Sequence, residues 1–188
     1  MASGTSAPGI IVGRRGVLCK PGRLVVLLLV VGLAAPSCAS RSSEAGDSVV
    51  VVEAIDGGTI EVVFGSTTER VRLLGIDAPE SVHPSVPVQC FGPEASSALA
   101  RLLPPGTEIE VFRDEQLRDH FGRLLLYVYR SNDSLNINRY LVEHGLAAAT
   151  FYEPNLHFRS EITGAEQRAK SQQVGLWGSC DGPDQPLQ

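Results

Sequence analysis

The hydrophobic pattern of this chain changes character at Ser48. Val49-Val50-Val51-Val52-Glu53-Ala54-Ile55 is a β-branched run, Thr59-Ile60-Glu61-Val62-Val63-Phe64 is a second, and Glu69-Arg70-Val71-Arg72-Leu73-Leu74-Gly75-Ile76 is a third. Asp56-Gly57-Gly58 stands between the first two, and these residues tolerate positive φ, so a hairpin turn is expected there. Gly65-Ser66 turns into the third run, and short turns between sequential strands predict a meander. Residues 77–92, broken by Pro79, Pro84, Pro87 and Gly92, read as a loop. Pro93 and Glu94 suit a helix's first turn, and Ala95, Ala98, Leu99, Leu102 and Leu103 recur at helical spacing until Pro104-Pro105-Gly106 ends the pattern. Strands are expected at Glu108–Phe112 and Leu124–Tyr129, across a charged connection containing Phe121-Gly122. Helices are expected over 135–146 and 159–173. Three strands, a helix, two strands and two helices is OB-fold connectivity: an α+β chain built on a five-stranded β-barrel with three α-helices. Closing such a sheet buries the alternating apolar positions and removes most exposed edges.

Upstream the pattern is different. Leu24 to Ala34 is one apolar run of 11 residues, short of the roughly 20 that a membrane span needs. Arg14, Arg15, Lys20 and Arg23 precede it without any acid, and Ala35-Pro36-Ser37-Cys38-Ala39-Ser40 follows. A basic start, a short apolar centre and a small-residue exit predict a signal peptide over 1–37, hence an extracytoplasmic protein. Ala35-Pro36-Ser37-Cys38 resembles a lipoprotein cleavage motif, apart from Pro36, and makes Cys38 a candidate for lipidation. Ordinary cleavage near Ser37 or Ser40 is the alternative. An acyl anchor would hold the protein on a membrane without spanning it. The expected organisation is signal 1–37, small and polar tether 38–47, barrel domain 48–180 and irregular tail 181–188.

Composition narrows the classes. With 43% hydrophobic residues in 188, the chain is neither collagenous nor wholly disordered, and it supports one globular domain. The formal charge is −5. Loss of the four basic residues before Cys38 leaves 12 Lys+Arg against 21 Asp+Glu, a charge of −9. A polyanion must then be met by a local basic cluster or a metal, against the global field. Of the 4 cysteines, Cys19 lies in the signal and Cys38 in the cleavage motif. Cys90 and Cys180 remain, and in an oxidising compartment they are expected to pair, tying the chain's end to the loop after the third strand.

Four strings carry candidate chemistry: Ile55-Asp56-Gly57-Gly58-Thr59, Val71-Arg72-Leu73-Leu74-Gly75-Ile76-Asp77-Ala78-Pro79-Glu80, Gly92-Pro93-Glu94-Ala95 and Asp119-His120-Phe121-Gly122-Arg123. Arg72, Asp77 and Glu80 put one cation and two carboxylates at the end of a strand. Such a set can grip a phosphate and a divalent ion together. Phosphodiester hydrolysis needs charge neutralisation, an aligned nucleophile and stabilisation of extra charge in the transition state. A guanidinium pairs two phosphate oxygens and stays charged. A carboxylate can orient and deprotonate water, and a hard cation such as Ca²⁺ takes oxygen ligands.

In this order, and over about residues 48–177, the strings resemble the staphylococcal-nuclease-like (thermonuclease) family. The reading is a phosphodiesterase that cuts DNA and RNA with little base preference, and the resemblance implies Ca²⁺ dependence and products bearing a 3′-phosphate; a monomer that prefers single-stranded substrates is expected. It implies catalytic roles for Arg72 and Arg123, a general base at Glu80, metal ligation by Asp77 and by the Ala78 carbonyl, and a nucleotide-packing role for Tyr152. Two positions depart from the pattern. Thr150 stands where a second tyrosine is usual, and Gly58 stands where a second metal carboxylate is usual. The loss at Gly58 is expected to weaken Ca²⁺ binding; Asp56 nearby can help through water, or the substrate phosphate or a different metal can complete the shell.

Bland readings compete at each position. Arg72 can be an ordinary strand residue paired with Glu69 or Glu61, Asp77 and Glu80 can cap a turn around Pro79, Asp119 can be a turn residue, and Arg123 a solvated strand-edge charge. His83, His120, His144 and His157 lack metal-ligand spacing and read as surface or loop residues, and Trp177 as packing of the C-terminal segment. The rival function is an OB-fold single-strand-binding module without cleavage, and a third is an envelope lipoprotein that uses its barrel for protein contacts.

Overall fold

The computed structural model describes residues 49–187 except His83. The expected signal, Cys38 and the tether lie outside the described residues. The meander is present as β1 (Val49–Ala54), β2 (Thr59–Phe64) and β3 (Thr67–Leu73). There follow β4 (Ile76–Asp77), α1 (Gly92–Leu102), β5 (Glu108–Arg118) and β6 (Leu124–Arg130). The chain continues through β7 (Leu135–Asn136), α2 (Ile137–Glu143), β8 (Ala148–Ala149), α3 (Arg159–Ser171) and the short α4 (Leu176–Ser179).

The main sheet runs β3-β2-β1-β5-β6-β7, and parallel pairing of β3 with β6 closes it into a barrel of β1, β2, β3, β5 and β6. The OB-fold expectation holds. The inward positions are the apolar ones of the period-2 pattern: Val51, Ile60, Val62, Val71, Leu73, Leu126 and Val128 are buried. Leu99 and Leu103 at α1, Ile137, Leu141 and Val142 of α2, and Ile162 and Ala165 of α3 belong to the same core. Asn138 is fully buried on α2 and is satisfied on all sides. Its Nδ2 donates to the carbonyls of Leu74 (2.8 Å) and Leu126 (3.3 Å), and its Oδ1 accepts from the Val128 amide (2.8 Å). A buried amide so satisfied fixes the helix to the seam between β3 and β6.

The structure corrects several boundaries. β5 runs to Arg118, beyond the expected Phe112. The extra length bulges out of register against β6 between Arg113 and Arg118 and is mostly exposed, so no apolar alternation marks it. Leu135 and Asn136 pair with β6 instead of starting a helix, and Asn136 caps α2 by accepting from the Arg139 amide at 2.9 Å. Gly57 and Gly58 do not take positive φ; their small size matters because Ala78 and Ala95 crowd the first and Arg72 the second. β4 and β8 were not expected, and they pair with each other. The tail is irregular but tied down, because Cys90 and Cys180 form a disulfide with Cα atoms 5.9 Å apart. Closing a loop of 90 residues is worth ~4–5 kcal/mol in the chain-entropy account.

Candidate active site

The closing seam determines where the arginines go. Val71 and Leu73 of β3 pair with Leu124 and Leu126 of β6, and all four point into the core. Arg72 lies between the first pair, and Arg123 immediately precedes the second. Strand alternation therefore sends both side chains out of the barrel on the same side of the seam.

Arg72 is held from the chain just beyond its own strand. Its Nη2 donates to Asp77 Oδ1 at 2.7 Å and to the Ile76 carbonyl at 3.1 Å. Neither Glu69 nor Glu61 is its partner. Glu69 binds Arg118 through both oxygens, at 2.9 and 2.8 Å, and this contact holds the Glu69 carboxyl below the usual carboxylate range. Arg70 is the residue that approaches Glu61, at 3.8 Å. The other end of the Arg72 fork, Nη1, lies over Gly58, where a Cβ would collide with it. Gly58 is kept beside Arg72 by the Leu73 amide, which donates to the Gly58 carbonyl at 2.9 Å. The glycine thus leaves space that the guanidinium fills.

Arg123 is held by its own turn. Asp119 accepts from the Arg123 amide at 2.9 Å and from Arg123 Nε at 2.8 Å, and it also accepts from the Phe121 amide at 3.0 Å. Burial pushes the Asp119 carboxyl up, but the Arg123 pair and the two amides outweigh it, and the group titrates below the ordinary aspartate range. The two terminal nitrogens of Arg123 have no partner among the described residues. Its guanidinium lies 5.4 Å from the Phe121 ring centroid.

Glu80 is half-buried just after Pro79. Its Oε1 accepts from the amides of Ser81 and Val82, both at 2.8 Å, which fixes the carboxylate plane. So Glu80 does cap a local turn, as one bland reading expects, and it faces the same cavity as the arginines. That cavity, of about 200 Å³, is lined by Asp56, Thr59, Arg72, Asp77, Ala78, Pro79, Glu80 and Arg123. All six candidate catalytic and metal positions therefore meet at one rim. Asp56 Oδ1 accepts from the Gly58 amide at 2.7 Å.

A larger groove of about 440 Å³ adjoins the cavity and shares Arg72 and Arg123 with it. His120, Thr150, Tyr152 and Asn155 line it. Tyr152 is 77% exposed, and Phe121 beside the groove is 73% exposed. Asn155 is buried and pairs with the backbone of Gln116 in both directions, at 2.8 and 3.2 Å. Sequence reasoning missed this clamp and the role of Asp119 as partner of Arg123. The spacing of Asp119 and Arg123 with Gly122 between them was the available signal for the second, and nothing local marks the first.

A hard cation takes six to eight oxygens. The rim offers the carboxylates of Asp56, Asp77 and Glu80, with Thr59 and Ala78 beside them; Asp77 is already engaged by Arg72, Asp56 by the Gly58 amide and Glu80 by two backbone amides. The Gly58 position contributes no side chain, and its space holds a guanidinium. Among the described residues no group of three or more His, Cys, Asp or Glu is arranged to hold a metal ion. This donor set does not fit a tightly held calcium ion.

The chain is also similar to known proteins. The staphylococcal nuclease homologue family matches residues 70–179, more than half of the chain. The thermonuclease of Staphylococcus intermedius is 35% identical over 163 residues, which are 86% of this chain and 95% of that protein. The thermonuclease of Staphylococcus hyicus is 35% identical over 69% of this chain and 75% of its own length. Endonuclease YncB of Bacillus subtilis (strain 168) is 36% identical over 69% of this chain and 61% of its own. With the barrel, the two arginines and the glutamate-bearing loop in place, the chain belongs to the family of staphylococcal nuclease homologues.

Proposed function

We propose that this chain is a nuclease that hydrolyses phosphodiester bonds of DNA and RNA, preferring single strands, outside the cytoplasm. The convergence of Arg72, Glu80 and Arg123 on one cavity is the observation that carries the reading. Membership of a nuclease family supports it. The scissile phosphate lies between the arginines, with the terminal nitrogens of Arg123 pairing its oxygens. Glu80 takes a proton from water as the water oxygen bonds to phosphorus. The P–O5′ bond breaks, the departing oxygen takes up a proton from solvent, and the phosphate stays on the 3′ side. The arginines carry the charge that builds on the phosphoryl oxygens. The adjoining groove takes the neighbouring nucleotide, with Tyr152 against the base.

The family is generally metal-dependent. Here calcium is the proposed ion and is held loosely, because the rim does not supply a complete ligand shell. Export by the 1–37 signal, with Cys38 carrying an acyl chain, places the monomeric enzyme at a membrane surface. Intact mass of the exported protein tests this part separately.

Cleavage of single-stranded DNA, duplex DNA and RNA across a calcium titration, with EDTA as control, tests the activity. Glu80→Gln should lower kcat by about 100-fold or more while the fold persists. Full activity in that variant would remove Glu80 from the mechanism. Gly58 favours one rival, a binding module that lost a metal carboxylate, and binding without cleavage at any calcium concentration would establish it.

A further inference from the structure

Glu80 stands at the root of an exposed loop. Ser85, Val86, Pro87 and Val88 are exposed, and Val82 is 59% exposed. Such a segment has little packing to hold its ends. Gln89 spans the neck of the loop. Its side-chain Oε1 accepts from the Glu80 amide at 2.7 Å, and its own amide donates to the Glu80 carbonyl at 2.8 Å. Both backbone polar groups of Glu80 are therefore bound by Gln89. Gly92 backs the same peptide, since a Cβ there would run into the Glu80 carbonyl.

Gln89 is itself braced from the far end of the chain. It forms an isolated bridge with Pro186, and its Nε2 reaches Asp184 Oδ1 at 3.4 Å. The Cys90 amide donates to the Gln185 carbonyl at 2.8 Å, and the Leu187 amide donates to the Val88 carbonyl at 3.1 Å. The Cys90–Cys180 disulfide anchors the start of this C-terminal strap to the residue beside Gln89. Neither Gln89 nor residues 184–187 line the cavity, yet the two Gln89 bonds restrict the peptide that carries the Glu80 carboxylate.

We propose that Gln89 is a positioning residue for Glu80, and that the disulfide-anchored strap 184–187 keeps Gln89 in place. The inference rests on the catalytic reading of Glu80. A carboxylate displaced by about 1 Å can cost on the order of 100-fold in rate, so the clamp acts on turnover more than on substrate affinity.

The experiment uses the full chain with its disulfide intact and reads kcat and KM on single-stranded DNA together with the thermal midpoint. Gln89→Met keeps the side-chain length and the backbone bond but loses the acceptor. It should lower kcat about tenfold with KM within about twofold. Gln89→Glu restores an acceptor oxygen and should recover kcat to within about threefold of the parent. A chain ending at Gly182 keeps the disulfide, loses the strap, and should reproduce part of the Gln89→Met effect. In a Glu80→Gln background, Gln89→Met should change the residual kcat no further, because the group it positions is gone. An equal fall in both backgrounds, or a change confined to KM, overturns the proposal while leaving Glu80 as assigned. Full activity of Glu80→Gln alone overturns the catalytic reading itself.

Discussion

Two arginines leave the barrel at the same seam, and the protein holds them in different ways. Arg123 is fixed from within a five-residue turn: Asp119 takes its amide and its Nε, and the side chain lines the cavity with its two terminal nitrogens unbonded among the described residues. Arg72 is folded toward its own strand end, with one terminal nitrogen on Asp77 and Ile76 and the other filling the space above Gly58. One edge presents a fork ready for a phosphate. The other couples its guanidinium to the carboxylate that a cation would need. A single glycine accounts for much of the difference, because the Arg72 arrangement depends on the absence of a side chain at 58.

The comparison makes Arg123 the more exacting of the pair. Arg123→Ala removes the outward fork and should lower kcat by about 1,000-fold, with the circular dichroism spectrum and thermal midpoint close to those of the parent. A loss below about tenfold would show that Arg72 can carry the phosphate alone. Asp119→Asn leaves Arg123 in place but removes the charge that orients it, and a fall in kcat of about 10- to 100-fold is expected. The same variant has a pH signature. Asp119 titrates below the ordinary aspartate value of 3.8 in the folded chain. Its contribution to stability is complete above that value and is lost as pH falls through the lower, folded-state pKa. Asp119→Asn should therefore flatten the acid limb of the stability curve below about pH 4 and leave its shape near neutrality unchanged. Acid unfolding monitored by fluorescence of Trp177 measures this.

The two edges also differ in how far the amino-acid pattern discloses them. Asp119-His120-Phe121-Gly122-Arg123 is local: a turn with a glycine and an i,i+4 charge pair can be read along the chain. The barrel is similarly legible, since Val51, Ile60, Val62, Val71 and Leu73 follow strand alternation and their burial follows from it. The Arg72 edge is not. Asp77 can be placed near Arg72 by spacing, but Glu69 and Glu61 are equally near in sequence, and only closure of the barrel brings Arg118 to Glu69 and leaves Asp77 for Arg72. Gly57 and Gly58 read as turn residues that need positive φ. Their actual constraint is contact, with Ala78 and Ala95 against Gly57 and Arg72 against Gly58. The β5 ribbon and the Asn155 clamp were hidden for a different reason: they lie at the surface or are satisfied by distant backbone, so neither leaves a hydrophobic period.

Gly58→Asp addresses the Arg72 edge directly. The new side chain meets the far end of a flexible arginine, a contact relieved by rotating the guanidinium away. Its carboxylate would join Asp77 at the rim and raise the anionic ligand count. Calcium affinity measured by calorimetry should rise about tenfold. An unchanged affinity would mean that the occupied space above Gly58 is not what limits cation binding.

The smallest expected effect lies on the Arg123 edge and asks what the Asp119 pair alone can do. Phe121 lies under the guanidinium but is 73% exposed. A cation–π contact in so wet a setting is worth about 0.5–1 kcal/mol, or roughly two- to fivefold in rate. Phe121→Leu keeps apolar cover and removes the ring quadrupole. If the two Asp119 bonds already fix Arg123, kcat should fall by no more than about threefold. KM should rise by a comparable factor if the ring also meets substrate at the groove mouth. A fall as large as that of Asp119→Asn would show that Arg123 is held by its ring as much as by its carboxylate, and the contrast between a locally fixed and a folded-back arginine would then rest on the aromatic residue.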